Sequence, residues 1–290
     1  MSGREPARCG HLEVENGHRV WWELHAGAKE GEARGTVCLL NGLAMHTRAW
    51  YPFLDDLAGW DVLLWDYLGQ GESSSPDEAV TLPQLAGHLR LVLGAAGLDR
   101  IHLVGISYGG FVALEFARLS HHRLATLTLS GILLTPRQVF EMYEATSLRF
   151  YAGGRDLFAL YTHYLYEKIF GERFLSAVSP DDLEAMRRRF EERYADRIHS
   201  LVRLTEAQDP FFAAVPELLD DYRAVPTPVL VLAGEEDRVI PLDAQREMAE
   251  IFPNARYEVI PEAGHVVYLE RRDLFWPRLV RFMESRDPAA

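Results

Sequence analysis

The chain of 290 residues has only two cysteines, Cys9 and Cys38, and two lysines, Lys29 and Lys168. Two thiols exclude a disulfide framework, and Cys38, inside the apolar run Val37–Leu40, is expected to be a small buried hydrophobe. Positive charge is scarce: 30 Lys and Arg stand against 43 Asp and Glu, a formal net charge of −13, which argues against nucleic-acid binding. No apolar run reaches the ~18–20 residues of a membrane span. The longest, Leu124–Leu134, is short and broken by threonines and a serine. Met1–Gly10 lacks the apolar stretch of a secretory signal, so a cytoplasmic location is expected. There is no His-Glu-x-x-His, Cys-x-x-Cys, calcium-type carboxylate loop, Gly-x-Gly-x-x-Gly or phosphate-binding loop, so no metal and no cofactor is implied. What is present is ordinary globular composition, 48% hydrophobic and 25% charged, and enough chain for one large domain or two modest ones.

In the first half two periods alternate. Runs rich in Val, Leu and Ile predict strands at Arg19–His25, Thr36–Asn41, Asp61–Asp66, Ile101–Ile106 and Leu124–Leu129. Between them Leu82, Leu85, Ala86, Leu89, Val92 and Leu93 recur at helical spacing, as do the apolar residues of Phe111–Leu119. Strand–helix alternation at this rhythm implies an α/β fold with a mostly parallel sheet covered on both faces.

From Leu134 to Tyr222 no strand pattern occurs. Amphipathic helical stretches cover Arg137–Tyr151, Leu157–Phe170 and Asp181–Ile198, and fifteen aromatic residues from Phe140 to Tyr222 crowd into less than a third of the chain. Such helices need an apolar partner, and part of the aromatic set is expected to roof a pocket. Arg187-Arg188-Arg189 reads as a solvated helix face. After Val225-Pro226-Thr227-Pro228 the alternation resumes, with strands at Val229–Ala233 and Tyr257–Ile260 and helices at Leu242–Ile251 and Arg272–Met283. Residues 1–133 and 224–290 are thus assigned to an α/β core and 134–223 to a helical insertion.

The motif with most chemical content is Gly105-Ile106-Ser107-Tyr108-Gly109. Chance supplies on the order of 0.1 Gly-x-Ser-x-Gly matches in a chain of this length, but here the motif sits between a predicted strand and a predicted helix, the setting of a nucleophile elbow. A serine hydroxyl needs a base, and the base an orienting acid. Both occur in the order that an elbow requires: Asp237 just beyond the strand Val229–Ala233, then His265 just beyond Tyr257–Ile260. Glu235 and Glu236 are the competing acids. All three candidates follow the C-terminal ends of strands, the edge at which open α/β sheets place ligands.

On these residues the chain resembles the α/β-hydrolase superfamily from about Val20 to Met283. Asn41-Gly42-Leu43 stands where the family's oxyanion loop stands, Asp66–Ser73 resembles the segment after the next strand, Gly234–Pro241 and Ala263–Glu270 resemble the acid and histidine loops, and the helical insertion corresponds to a cap or lid. Asn41 replaces the histidine that many relatives carry before the glycine, a change that bears on loop conformation and substrate class and resembles acyltransferase-like members handling 3-hydroxyacyl chains. The resemblance implies a serine hydrolase acting on carboxylic esters or thioesters of apolar acyl or aryl groups, with Ser107 as nucleophile, His265 as base, Asp237 as orienting acid and the Leu43 and Tyr108 amides as oxyanion hole. Asn41, His46 and Trp50 are candidate pocket residues, with His46 also readable as a surface-loop histidine and Trp50 as packing. Ser107 stands where dehalogenases and epoxide hydrolases carry an aspartate, which argues against those activities. An acyltransferase, a hydrolase of carbon–carbon bonds and a hydrolase-fold ligand receptor with little turnover are alternatives. The expected partner is a small ester or thioester; oligomeric state is not encoded in any pattern found.

Overall fold

The computed structural model describes residues 5–27 and 33–285. The ends of the sequence-assigned core at 1–4 and 286–290, and residues 28–32, lie outside the described residues. In chain order the elements are β1 (Arg8–Glu13), β2 (Arg19–His25), β3 (Thr36–Leu40), β4 (Asp61–Trp65), α1 (Leu82–Ala96), β5 (Ile101–Ile106), α2 (Tyr108–Ser120) and β6 (Leu124–Ser130). Six helices follow: α3 (Gln138–Ala152), α4 (Gly154–Ile169), α5 (Glu172–Ala177), α6 (Pro180–Tyr194), α7 (Ile198–Glu206) and α8 (Gln208–Arg223). The chain then completes β7 (Val229–Gly234), α9 (Leu242–Ile251), β8 (Ala255–Ile260), α10 (Val267–Glu270) and α11 (Arg272–Glu284).

The strands form one sheet in the order β1-β2-β4-β3-β5-β6-β7-β8, parallel from β4 to β8 and antiparallel at β1 and β2. Its central strands are buried on both sides, and alternate residues enter different cores. Cys38, Leu40, Leu63, Trp65, Leu103 and Leu129 pack against α1 and α2, while Val37, Leu39, Val62, Leu64, Val104 and Ile106 pack against α11 and the turn of helix at Thr47–Leu57. Burial of both faces explains why these runs read as continuous apolar segments rather than alternating ones. Cys38 is fully buried, and Cys9 is exposed.

Local signals fix the helix ends. Thr81 caps α1 in a reciprocal box with Gln84, and Gly97 closes it in the left-handed region at φ 69°. The break between α6 and α7 at residues 195–197 divides the single helix predicted for Asp181–Ile198. β1 was not anticipated. Its residues are mostly exposed, so it lacks an apolar signal; backbone pairing to β2 holds it, with Arg8 donating to the carbonyls of Ala95 and Ala96.

The six helices between β6 and β7 carry an aromatic cluster of their own, including Tyr151, Phe158, Tyr161, Tyr166, Phe170 and Tyr194. Their last helix is tied to the sheet layer: the Tyr222 hydroxyl donates to buried Glu115 of α2 at 2.7 Å, and Arg118 pairs with the same carboxylate at 2.8 Å.

Candidate active site

β3 lies between β4 and β5, so the chain leaves it toward one side and later returns on the other. This is a topological switch point, where the carboxyl ends of neighbouring strands diverge and open a crevice. Leu40 pairs with Gly105 in the register, which brings the segment after β3 beside the segment after β5. Leu43 and Ser107 line the same cavities there.

Ser107 has φ 50° and ψ −124°, a backbone region that ordinary residues avoid. The tight turn between β5 and α2 imposes it: the Ser107 amide donates to the Ser130 carbonyl at 2.9 Å, and the Gly110 amide donates to the Ser107 carbonyl at 2.7 Å. The motif's glycines are required by space. A Cβ at Gly105 would lie 2.8 Å from Ala113 Cβ and from the Gly109 carbonyl oxygen, and one at Gly109 would lie 2.7 Å from the Asn41 carbonyl oxygen. Tyr108 is the first residue of α2, so its amide has no acceptor within the helix.

Ser107, His265 and Asp237 come together. His265 Nε2 lies 2.9 Å from Ser107 Oγ, and His265 Nδ1 lies 2.9 Å from Asp237 Oδ2. The Asp237 side chain is completely buried; its Oδ1 accepts the amides of Val239 and Ile240 at 2.9 and 2.8 Å, and Gln245 Nε2 reaches Oδ2 at 3.2 Å. With Oδ1 saturated by backbone donors, Oδ2 is left for the imidazole, which fixes the Nδ1–H tautomer. Glu235 and Glu236 point elsewhere: Glu235 accepts the amide of Glu262, and Glu236 that of Glu172.

The loop carrying His265 is held by contacts that the sequence pattern did not single out. The Glu270 carboxylate accepts the amides of Gly264 and Val266, each at 3.1 Å, and of Gly171 at 2.7 Å. Burial pushes its carboxyl up from the usual range, opposed by these backbone donors. Gly131, at φ 62°, sits against the ring: a Cβ there would lie 2.7 Å from His265 Cε1.

Around Ser107 a cavity of about 210 Å³ is walled by Met45, Tyr143, Tyr161, Leu165, Phe170 and Tyr268, among others. Helices of the insertion supply much of this wall, as the aromatic crowding suggested. A second, smaller lobe shares Ser107 and is lined by Phe111, Glu144, Thr205 and Gln208. Burial raises the Glu144 carboxyl to about 8, with Asp209 and Glu141 adding to the shift and a hydrogen bond from Gln208 opposing it.

The three pocket candidates lie off these walls. Asn41 is completely buried: its amide donates to Asp66 Oδ1 at 3.0 Å and to the Trp65 carbonyl, and its oxygen accepts Trp50 Nε1 at 2.7 Å. A polar residue at the end of a central strand is used here to satisfy an indole and a buried carboxylate, not to meet a ligand. Trp50, also fully buried, stands one layer behind the cavity, its ring centroid 4.9 Å from that of Tyr268. His46 opens onto a separate cleft with Arg48, Arg193 and Arg197; burial, reinforced by Arg193 and Arg48, lowers it to about 4. Among the described residues no group of side chains has the makings of a metal site, and no helix is long and apolar enough to cross a membrane.

Comparison with known proteins agrees with this architecture. A family-wide sequence profile described as alpha/beta hydrolase fold matches residues 35–272. The 2-hydroxy-6-oxononadienedioate/2-hydroxy-6-oxononatrienedioate hydrolase of Paraburkholderia phymatum is 28% identical over 263 residues, covering 87% of this chain and 88% of its own. The poly(3-hydroxyalkanoate) depolymerase of Ectopseudomonas oleovorans is 24% identical over 268 residues, with coverage of 90% and 89%. Among solved structures, MGS-M2, an alpha/beta hydrolase enzyme from a Medee basin deep-sea metagenome library, superposes with a TM-score of 0.82 at 20% identity, covering 95% of this chain and 97% of its own. With a profile spanning most of its length and this sheet order, the chain belongs to the α/β-hydrolase fold family.

Proposed function

We propose that the protein is a serine hydrolase that cleaves a carboxylic ester or thioester of an apolar acyl or aryl substrate through an acyl-enzyme. The observation that carries this is the continuous relay of Ser107 Oγ, His265 and Asp237, with both links at 2.9 Å. His265 takes the hydroxyl proton as Ser107 attacks the carbonyl carbon, and Asp237 holds the imidazole and stabilises its cationic form. The amides of Leu43 and Tyr108 receive the developing oxyanion, a contribution worth ~3–4 kcal/mol per donor. His265 returns the proton to the leaving oxygen or sulfur, then activates water to release the acid. Residues 134–223 act as a cap over the core, supplying aromatic walls that exclude bulk water from the acyl-enzyme.

Hydrolysis of a carbon–carbon bond in a vinylogous diketone is the second reading, favoured by the name of the Paraburkholderia relative. A dioate of that kind carries two carboxylates, and neither lobe at Ser107 is lined by an arginine or lysine, which favours the ester. The test is a panel of 4-nitrophenyl esters and thioesters assayed with native protein and with Ser107→Ala, alongside fluorophosphonate labelling. Turnover and labelling that both vanish in the variant support the assignment; turnover that survives overturns it. Labelling without turnover across the panel identifies a receptor, and products bearing an added alcohol identify an acyltransferase.

A further inference from the structure

Ser107 stands where two cavities of unlike chemistry meet. Leu43, Tyr143, Tyr151 and Tyr161 line both, and from there the larger lobe runs on between apolar and aromatic side chains. The smaller lobe, about 50 Å³, turns toward α3 and the α7–α8 junction and has room for only a few non-hydrogen atoms. Its surface is unusual in carrying polar atoms without protein partners: Glu144 Oε1, Thr205 Oγ1 and the Tyr108 hydroxyl. Tyr108 and Thr205 are only 2% and 4% exposed, so water does not satisfy them from outside. Buried polar atoms left unpaired cost ~1–3 kcal/mol each, so a lobe that keeps three of them is built to receive a polar group.

The chemistry of the three atoms selects the group. An alkyl end would leave all of them unpaired. A carboxylate would bring a further negative charge beside Asp209 and Glu141, which already push the Glu144 carboxyl up, with no arginine or lysine on the lobe's wall. A hydroxyl donates to Glu144 Oε1 and accepts from Thr205 or Tyr108, using both of its capacities. We propose that the Glu144–Thr205–Tyr108 lobe is a specificity subsite for a short arm of the substrate ending in a hydroxyl, while the apolar remainder of the ester occupies the aromatic lobe. This rests on Ser107 being the nucleophile of an ester hydrolase.

Two isosteric pairs place the arm on either side of the scissile bond: 4-nitrophenyl 3-hydroxypropanoate against 4-nitrophenyl butanoate, and 2-hydroxyethyl benzoate against propyl benzoate. In one pair kcat/KM is expected to favour the hydroxylated member at least tenfold, because a site that binds a hydroxyl rejects the analogue lacking it. Glu144→Leu and the near-isosteric Thr205→Val should each reduce that ratio several-fold; being a ratio within one protein preparation, it is insensitive to partial misfolding. No preference in either pair, a preference that survives both substitutions, or faster turnover of the matching 3-aminopropanoate or succinate ester overturns the proposal. Failure of the hydrolase assignment looks different: native protein neither turns over 4-nitrophenyl acetate nor is labelled at Ser107. In that event Ser107→Ala still tests the lobe by calorimetry, and equal binding of the two members of both pairs overturns it.

Discussion

The backbone amide of His265 donates to the carbonyl of Ile169, the last residue of α4, at 2.8 Å. The residue that links Ser107 to Asp237 is therefore fastened to the helical layer as well as to the sheet. Glu270 reinforces the seam by accepting amides from both sides of it, Gly264 and Val266 on one and Gly171 on the other. Replacing Glu270 with Gln puts an N–H₂ group where amide donors already converge. The imidazole should lose its alignment, and kcat should fall by roughly 10- to 100-fold, since displacement of a reacting group by about 1 Å costs that much. KM should change little. Steady-state kinetics separate the two constants, and an unchanged kcat refutes a positioning role.

Asp237→Asn keeps the shape of the side chain but offers an N–H₂ or a neutral oxygen to His265 Nδ1. It should lower kcat by ~10³–10⁴-fold by favouring the wrong tautomer, while fluorophosphonate labelling slows in parallel. A loss of less than tenfold would point to one of the neighbouring acids, Glu235 or Glu236, as the partner.

Gly131→Ala is a second way to disturb the same imidazole, from a residue with no functional group. Its Cβ would collide with the ring at 2.7 Å, and φ 62° is unfavourable to alanine. Activity on a short ester is expected to drop at least ~100-fold, with far-UV circular dichroism unchanged. Retained activity would mean that the loop after β6 yields at little cost.

Asn41→Leu tests the assignment of Asn41 to structure. The substitution strands Trp50 Nε1 and removes one donor from Asp66, whose carboxyl burial already raises to about 6. A stability loss of ~2–4 kcal/mol is expected from denaturant unfolding, the sum of one to two unsatisfied buried groups. A variant as stable as the native protein but altered in KM would return Asn41 to the pocket.

Glu144 gives a pH signature. Its carboxyl is raised from 4.5 to about 8 in the folded chain, chiefly by burial and then by Asp209 and Glu141, so folding favours the protonated form. The native protein therefore loses stability as pH climbs from the unfolded value toward the folded one, and the loss is complete above about 8. Glu144→Gln lacks this titration. The Tm of the variant minus that of the native protein should grow between pH 5 and 8 and level off beyond; a difference independent of pH contradicts the burial of Glu144.

Much of this was legible in the chain because buried parallel strands write themselves as short apolar runs and the elbow writes itself as glycines around Ser107. The order Ser107, Asp237, His265 followed from the elbow motif together with the strand positions, and the choice of Asp237 over Glu235 and Glu236 from the family resemblance. The pocket was not legible, for a physical reason. Asn41, His46 and Trp50 lie near Ser107 along the β3 loop, but which way each side chain turns depends on Asp66, Tyr268 and Arg193, which are distant in sequence. Glu144, Thr205 and Gln208 reach the site only through the packing of α3, α7 and the start of α8 over the sheet, which no local periodicity encodes. β1 escaped because an edge strand with exposed residues on both faces has no hydrophobic period to detect.

β6 and β7 are neighbours in the sheet, with Leu127 opposite Val229, yet the whole helical segment lies between them in the chain. Closing a loop of roughly a hundred residues is slow and entropically uphill, so these strands should zip late in refolding. During synthesis the consequence is sharper: Asp237 and His265 are made only after the elbow and all of the helical segment. Under the proposed function, the nascent chain holds Ser107 without His265 or Asp237, and is chemically silent until its final strands dock.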